Sequence, residues 1–230
     1  MTTHISPQMA SSGTQHGKFE PYVNNGGTTL AIPGKDFVIA AGDTRLSTGY
    51  SIHTRQSSKV FQLTDKCVIV TAGMQSDAST LHKTMHARLV HYEHAHGKQM
   101  STEAIGQMLS NMLYGRRFFP YYTFNLVAGI DSKGQGVVYG YDAIGSYQSV
   151  EVGAMGTGQS LIQPLLDNQV AYKNHQLVPS KELDLERALS LVKDSFTSAG
   201  ERDIYTGDSV EIAIITQEGI KYETLQLKQD

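Results

Sequence analysis

The chain has 230 residues, 40% hydrophobic and 18% charged, with a formal net charge of −3. That is a globular composition, and a chain of this length buries roughly 70% of its unfolded surface without covalent staples, which excludes a disordered polymer. The mild acidity argues against charge-driven partners such as nucleic acid or an anionic membrane surface. Cys67 is the one cysteine, so no intrachain disulfide forms, and a lone thiol fits a reducing compartment. No apolar run approaches the roughly 20 residues that span a bilayer.

Residues 1–17 are small, polar and aperiodic, with no arginine and no apolar block after a basic start. They read as a flexible leader or a piece removed on maturation, not as a sorting signal. No second composition shift, long linker or repeat follows, so residues 18–230 form one domain. Thr28–Ile32 and Phe37–Ala41 are β-type runs around Pro33-Gly34-Lys35-Asp36, a hairpin turn with its own chemistry. Val60–Leu63 and Cys67–Thr71 pair around Thr64-Asp65-Lys66. A helix capped by Ser76 or Asp77 carries Ala78, Leu81, Met85, Leu89 and Tyr92 on one face and stops at Gly97. A second helix, capped near Ser101, carries Ile105, Met108, Leu109, Met112 and Leu113. Tyr122–Ile130 and Gly136–Tyr141 flank the turn Asp131-Ser132-Lys133-Gly134. Leu161–Val170 is helical, and Ser180 opens a helix with Leu185, Leu189, Val192 and Phe196 facing inward. Ser209–Thr216 and Ile220–Leu227 pair across Gln217-Glu218-Gly219. Hairpins alternating with helix pairs do not build a parallel βαβ sheet. They predict an α+β fold: a four-layer αββα sandwich of two stacked antiparallel sheets flanked by helices.

The chemistry lies in a set of short motifs. Gly26-Gly27-Thr28-Thr29-Leu30-Ala31 is followed by Ala41-Gly42-Asp43-Thr44-Arg45, Lys59, Ala72-Gly73, Gly156-Thr157-Gly158 and Arg202-Asp203-Ile204-Tyr205-Thr206-Gly207. In this order and spacing they resemble the β subunits of the proteasome, which are N-terminal-nucleophile hydrolases. The resemblance covers about Phe19 to Lys228. Active members use an N-terminal threonine as nucleophile, with its own α-amine as the base. A nearby lysine lowers the hydroxyl pKa, an aspartate keeps the lysine charged, and a glycine N–H stabilises the oxyanion. By resemblance, Asp43 and Lys59 take the aspartate and lysine places and Gly73 the oxyanion glycine. Thr157, Asp203 and Thr206 take the accessory hydroxyl and carboxylate places. The nucleophile's own place falls on Gly27.

Spacing supports that register. Asp43 and Lys59 lie 16 and 32 residues beyond Gly27, the family's intervals, but 15 and 31 beyond Thr28. A one-residue slip in a strand would turn Thr28 away from Lys59. The resemblance therefore implies a non-catalytic β subunit, with Gly27, Asp43, Lys59, Gly73, Thr157, Asp203 and Thr206 as vestigial positions. Lys59, Asp43 and Asp203 are expected within hydrogen-bonding or ion-pairing reach of one another. The rival is an active threonine endopeptidase with Thr28 exposed by autocleavage; a free-standing amidohydrolase of the same fold is a third reading. Arg116-Arg117-Phe118-Phe119-Pro120-Tyr121-Tyr122, Pro164 to Gln169 and Glu201 to Asp208 look like one subunit type outside the eukaryotic catalytic three. Further implications are neighbouring β subunits in a seven-membered ring, an adjoining α ring, residence in cytoplasm and nucleus, and leader trimming near Gly17-Lys18. No cofactor, metal, nucleic acid or membrane is implied.

Other conspicuous residues have plain readings. His82 and His86 have the i, i+4 spacing of two zinc ligands, but no third ligand stands at a familiar position, so they read as a polar helix flank. Cys67 reads as a small buried hydrophobe. Arg116 and Arg117 read as an interface or salt-bridge pair, and Gly156-Thr157-Gly158 as a turn. Phe118, Phe119, Tyr121 and Tyr122 suit subunit contacts or a core cluster equally.

Overall fold

A computed structural model describes residues 19–174 and 182–230. In chain order the strands β1 (Thr28–Pro33) and β2 (Phe37–Asp43) are followed by a short ribbon, β3 (Leu46–Thr48) with β4 (Ser51–Thr54). Next come β5 (Val60–Thr64), β6 (Cys67–Gly73), α1 (Gln75–His96) and α2 (Thr102–Tyr114). Strands β7 (Thr123–Ile130), β8 (Gly136–Tyr141), β9 (Tyr147–Ser149) and β10 (Gly153–Gly156) lead to α3 (Gln159–Gln169) and α4 (Leu185–Arg202). The hairpin β11 (Ser209–Thr216) and β12 (Gly219–Gln226) closes the order. One sheet runs β10-β1-β2-β11-β12 and the other β5-β6-β7-β8-β9, with every pairing antiparallel.

The two-residue period of the strands sorts their side chains into three cores. Leu30, Ile32, Ile39, Ala41, Ile212 and Ile214 meet Ile162, Leu166, Val192 and Phe196 of α3 and α4. Their alternates Ala31, Val38, Ala40, Ala213 and Ile215 meet Val68, Val70, Leu126 and Ala128 between the sheets. On the far side Cys67, Ile69 and Val127 meet Leu81, Met85, Leu89, Ile105, Leu109 and Leu113 of α1 and α2. The expected αββα sandwich is the fold.

Several local expectations are corrected. Neither Ser76 nor Asp77 caps α1: its N-cap is Met74, without a side-chain bond, because the Asp77 carboxylate accepts the Tyr122 N–H at 2.8 Å instead. Tyr92 leaves the apolar stripe and stacks on His96 with ring centroids 4.1 Å apart. Gly97 does end α1, in the left-handed region at φ 67°, and Ser101 does cap α2. Ser180 lies outside the described residues; α4 starts at Leu185 with Asp184 as its cap, accepting from Arg187 N–H. Strands β3, β4, β9 and β10 are additional to those expected.

His82 is buried in α1 against β6 and does not serve as a solvated flank. Its Nε2 lies 2.8 Å from the Thr71 hydroxyl, which in turn donates to Asn125 Oδ1. Nε2 is therefore the protonated nitrogen, and Nδ1 has no hydrogen-bond partner. Burial pushes the imidazole down to about 4. The unfolded chain takes up this proton near pH 6.5, so stability is complete above that value and declines as pH falls towards 4. The total loss is about 3 kcal/mol. Urea unfolding of the wild type and His82→Gln across this window should show a gap that closes at low pH; parallel curves would refute it.

Candidate functional site

The site gathers where β1 begins, β2 ends, β5 approaches and β10 ends, with Thr28 paired to Gly156. Gly26 and Gly27 lead into β1 at φ 69° and 86°, a backbone that residues with a Cβ rarely adopt. A Cβ placed on Gly27 would lie 2.1 Å from Lys59 Cε, 2.7 Å from its Nζ and 3.0 Å from Asp43 Oδ1. Lysine and aspartate thus converge on a residue that has no side chain.

Lys59 is 4% exposed, and Asp43 is fully buried. Lys59 Nζ donates to the carbonyls of Asp43 at 2.8 Å and Arg45 at 2.7 Å, and pairs with Asp43 Oδ1 at 3.2 Å. Its three N–H groups therefore have three acceptors. Asp43 Oδ1 also accepts from Thr28 N–H at 2.8 Å, and Oδ2 from Gly207 N–H at 3.2 Å. Burial raises the Asp43 carboxyl above its ordinary range, against the opposing pull of the Lys59 ammonium and these two N–H groups.

Asp203 does not join this pair, contrary to expectation. It ends α4, and its Oδ2 accepts from the hydroxyls of Thr157 and Thr206, each at 2.6 Å. Thr206 lies 2.7 Å from the Thr28 hydroxyl, which also accepts from Gly158 N–H at 2.8 Å. The Thr28 side chain thus belongs to a hydroxyl network on the Asp203 side, not to Lys59. The lysine's donors are already consumed by Asp43 and Arg45, which leaves Asp203 to the threonines. The Gly27 carbonyl accepts from Thr157 N–H at 2.9 Å, and the Thr157 hydroxyl, whose hydrogen goes to Asp203, lies 3.3 Å from it.

Gly73 ends β6 at φ 118°, where an added Cβ would meet the Tyr122 carbonyl at 2.4 Å. Its own carbonyl accepts from Asn25 N–H at 3.1 Å. Asn25 is bonded at every polar atom: its carbonyl by Ser47 N–H, its Oδ1 by Gln75 N–H, and its Nδ2 to the Ser47 carbonyl and the Thr48 hydroxyl. The segment before Gly27 is therefore docked across the Gly73 turn.

Sequence reasoning missed the hub that steadies this site. The Arg45 side chain, 3% exposed, donates to both carboxylate oxygens of Asp208 and to the Ile204 carbonyl, and reaches Asp230 at the end of the chain. Arg55 also pairs with Asp208. Burial works against its charge, yet the two guanidiniums hold the Asp208 carboxyl below its ordinary value. The Arg45–Asp208 pair spans 163 residues, so no local signal in the sequence announces it.

His86 is exposed while His82 is buried, so the two do not converge. Among the described residues no three His, Cys, Asp or Glu side chains are placed to hold a metal ion. Burial pushes the Cys67 thiol up to about 12, which makes it unreactive. No helix among the described residues is long and apolar enough to cross a membrane. Gly17 and Lys18 lie outside the described residues.

Residues 23–215 match the proteasome subunit family. The chain is 54% identical over 217 residues to proteasome subunit beta type-1 of Dictyostelium discoideum, covering 94% of this chain and 92% of that one. It is 51% identical over 219 residues to beta type-1-B of Carassius auratus, covering 95% and 92%. It is 50% identical over 226 residues to beta type-1 of Drosophila melanogaster, covering 97% and 96%. With a matching family model over most of its length and relatives at half identity, the chain belongs to the proteasome subunit family.

Proposed function

We propose that this chain is a non-catalytic, structural β subunit of the proteasome core particle. Peptide-bond hydrolysis in ATP-dependent, ubiquitin-linked degradation then belongs to other subunits of the complex. The observation that carries this reading is the convergence of Lys59 and Asp43 on Gly27. An N-terminal nucleophile needs a hydroxyl and a free amine on one residue, and glycine offers no hydroxyl. Lys59 and Asp43 persist as a structural pair, because removing either would strand the other in the interior. Thr28 is a poor substitute: its hydroxyl is engaged by Thr206 and Gly158, and its N–H is bonded to Asp43.

In this reading the subunit takes one place in a seven-membered β ring against an α ring, in the cytoplasm and nucleus. Its leader is cut near Gly17-Lys18 by a neighbour, since Gly27 has no side chain for self-cleavage. A single experiment tests both parts. The assembled particle is treated with a peptide epoxyketone, which captures N-terminal threonines, and each subunit's intact mass is measured. This chain should remain unmodified and start between His16 and Pro21 while other subunits carry the adduct. An adduct here, or a chain starting at Thr28, would sink the proposal.

A further inference from the structure

The turn after α2 exposes every residue from Tyr114 to Phe119. Phe118 is 99% exposed and Phe119 54%. Single exposed apolar residues are ordinary, but a continuous patch marks a contact surface. This patch is continuous with the N-terminal segment. The Tyr22 ring lies 5.6 Å from Phe119 and 5.7 Å from Tyr122, and its hydroxyl donates to the Pro120 carbonyl at 2.7 Å. Phe19 and Val23, also exposed, flank Tyr22 on that segment. Residues almost a hundred positions apart are thus joined into one aromatic face.

The turn is tightly wound and carries two arginines, with Glu20 on the N-terminal segment beside Phe19. Backbone bonds from Arg116 to Leu113, Arg117 to Tyr114 and Phe119 to Arg116, all 3.0–3.1 Å, wind the turn tightly under Phe118. The Arg116 guanidinium sits 4.6 Å above the Tyr121 ring. Neither Arg116 nor Arg117 has a carboxylate partner among the described residues.

We propose that this face docks a neighbouring proteasome subunit, which offers an apolar recess for Phe118 rimmed by carboxylates for Arg116 and Arg117. The proposal rests on the chain's place in a proteasome assembly. Rigid aromatics beside arginine are the residue types that carry most interface energy. Two guanidiniums with no carboxylate beside them among the described residues specify the partner's sign. The chain's own leader does not fit: residues 1–17 contain no aromatic and no acidic residue. A symmetric contact with a second copy would set guanidinium against guanidinium.

The test uses the full chain expressed with the other subunits, the particle being captured through a tag on a different subunit. Phe118→Ser and Arg117→Glu should each lower this chain's share of the particle about tenfold. Neither side chain has a hydrogen-bond, ion-pair or ring partner among the described residues, so thermal unfolding of the variant chains should match the wild type, which separates lost docking from misfolding. A photo-crosslinking residue at position 118 should attach to a different proteasome subunit. Wild-type incorporation of both variants, or a crosslink to a second copy of this chain, would overturn the docking proposal and leave the non-catalytic reading standing. Failure of the wild-type chain to enter the particle would overturn the assembly reading itself.

Discussion

Lys59→Ala should lower the stability of the folded chain by about 3–5 kcal/mol, the cost of leaving a buried charge without its partner. Asp43 is fully buried, and its carboxylate is held by Lys59 Nζ, Thr28 N–H and Gly207 N–H. Removing the lysine also strips the Asp43 and Arg45 carbonyls of their donor. The loss has a pH signature. Without the ammonium, burial raises the Asp43 carboxyl still further, so the folded variant binds a proton that the unfolded chain releases near pH 4. Stability of the variant relative to wild type therefore recovers as pH falls and is lost as pH rises through the folded-state value. Urea unfolding of both proteins at pH 4.5 and pH 7.5 reads it. A loss under about 1 kcal/mol at neutral pH would mean that the pair is not the anchor its geometry suggests.

Gly27→Ala has the next largest expected effect, about 2–5 kcal/mol of destabilisation. The methyl group would sit 2.1 Å from Lys59 Cε, and Lys59 cannot withdraw without breaking its three bonds. Overpacking of that kind costs about 1–3 kcal/mol, and left-handed backbone adds about 1–2 for a residue with a Cβ. Gly49 separates the two contributions: it too has positive φ, 57°, but nothing lies within 4 Å of an added Cβ. Gly49→Ala should show the backbone cost alone. Equal losses at the two positions would show that the space at Gly27 is not restrictive.

The hairpins were legible because their turns carry their own chemistry. Asp131 shows it: its carboxylate accepts from the N–H groups of Lys133 and Gln135. Strand β10 was not legible, because four residues, three of them glycine or alanine, owe their conformation to pairing with β1, more than a hundred residues away. The α1 cap was misjudged for a related reason, since Asp77 gives its carboxylate to Tyr122 across the fold. In the site, family spacing placed Gly27, Asp43 and Lys59 together, and periodicity foresaw that Thr28 would point elsewhere. Spacing misjudged Asp203, because position in a motif does not say which of several donors a carboxylate will choose. The Arg45–Asp208 pair spans 163 residues and leaves no local pattern at all.

The bare backbone at Gly27 also constrains what this gene can become. Glycine and threonine codons differ at both of their first positions, so acquiring a threonine there takes a pair of nucleotide changes. The intermediates encode alanine, serine or arginine. Each places a Cβ in the space that Lys59 fills, on a left-handed backbone, while none supplies threonine's particular side chain. Every stepwise route therefore begins with a less stable protein. The missing side chain is self-perpetuating, because Lys59 fills the space that any new side chain at position 27 would need.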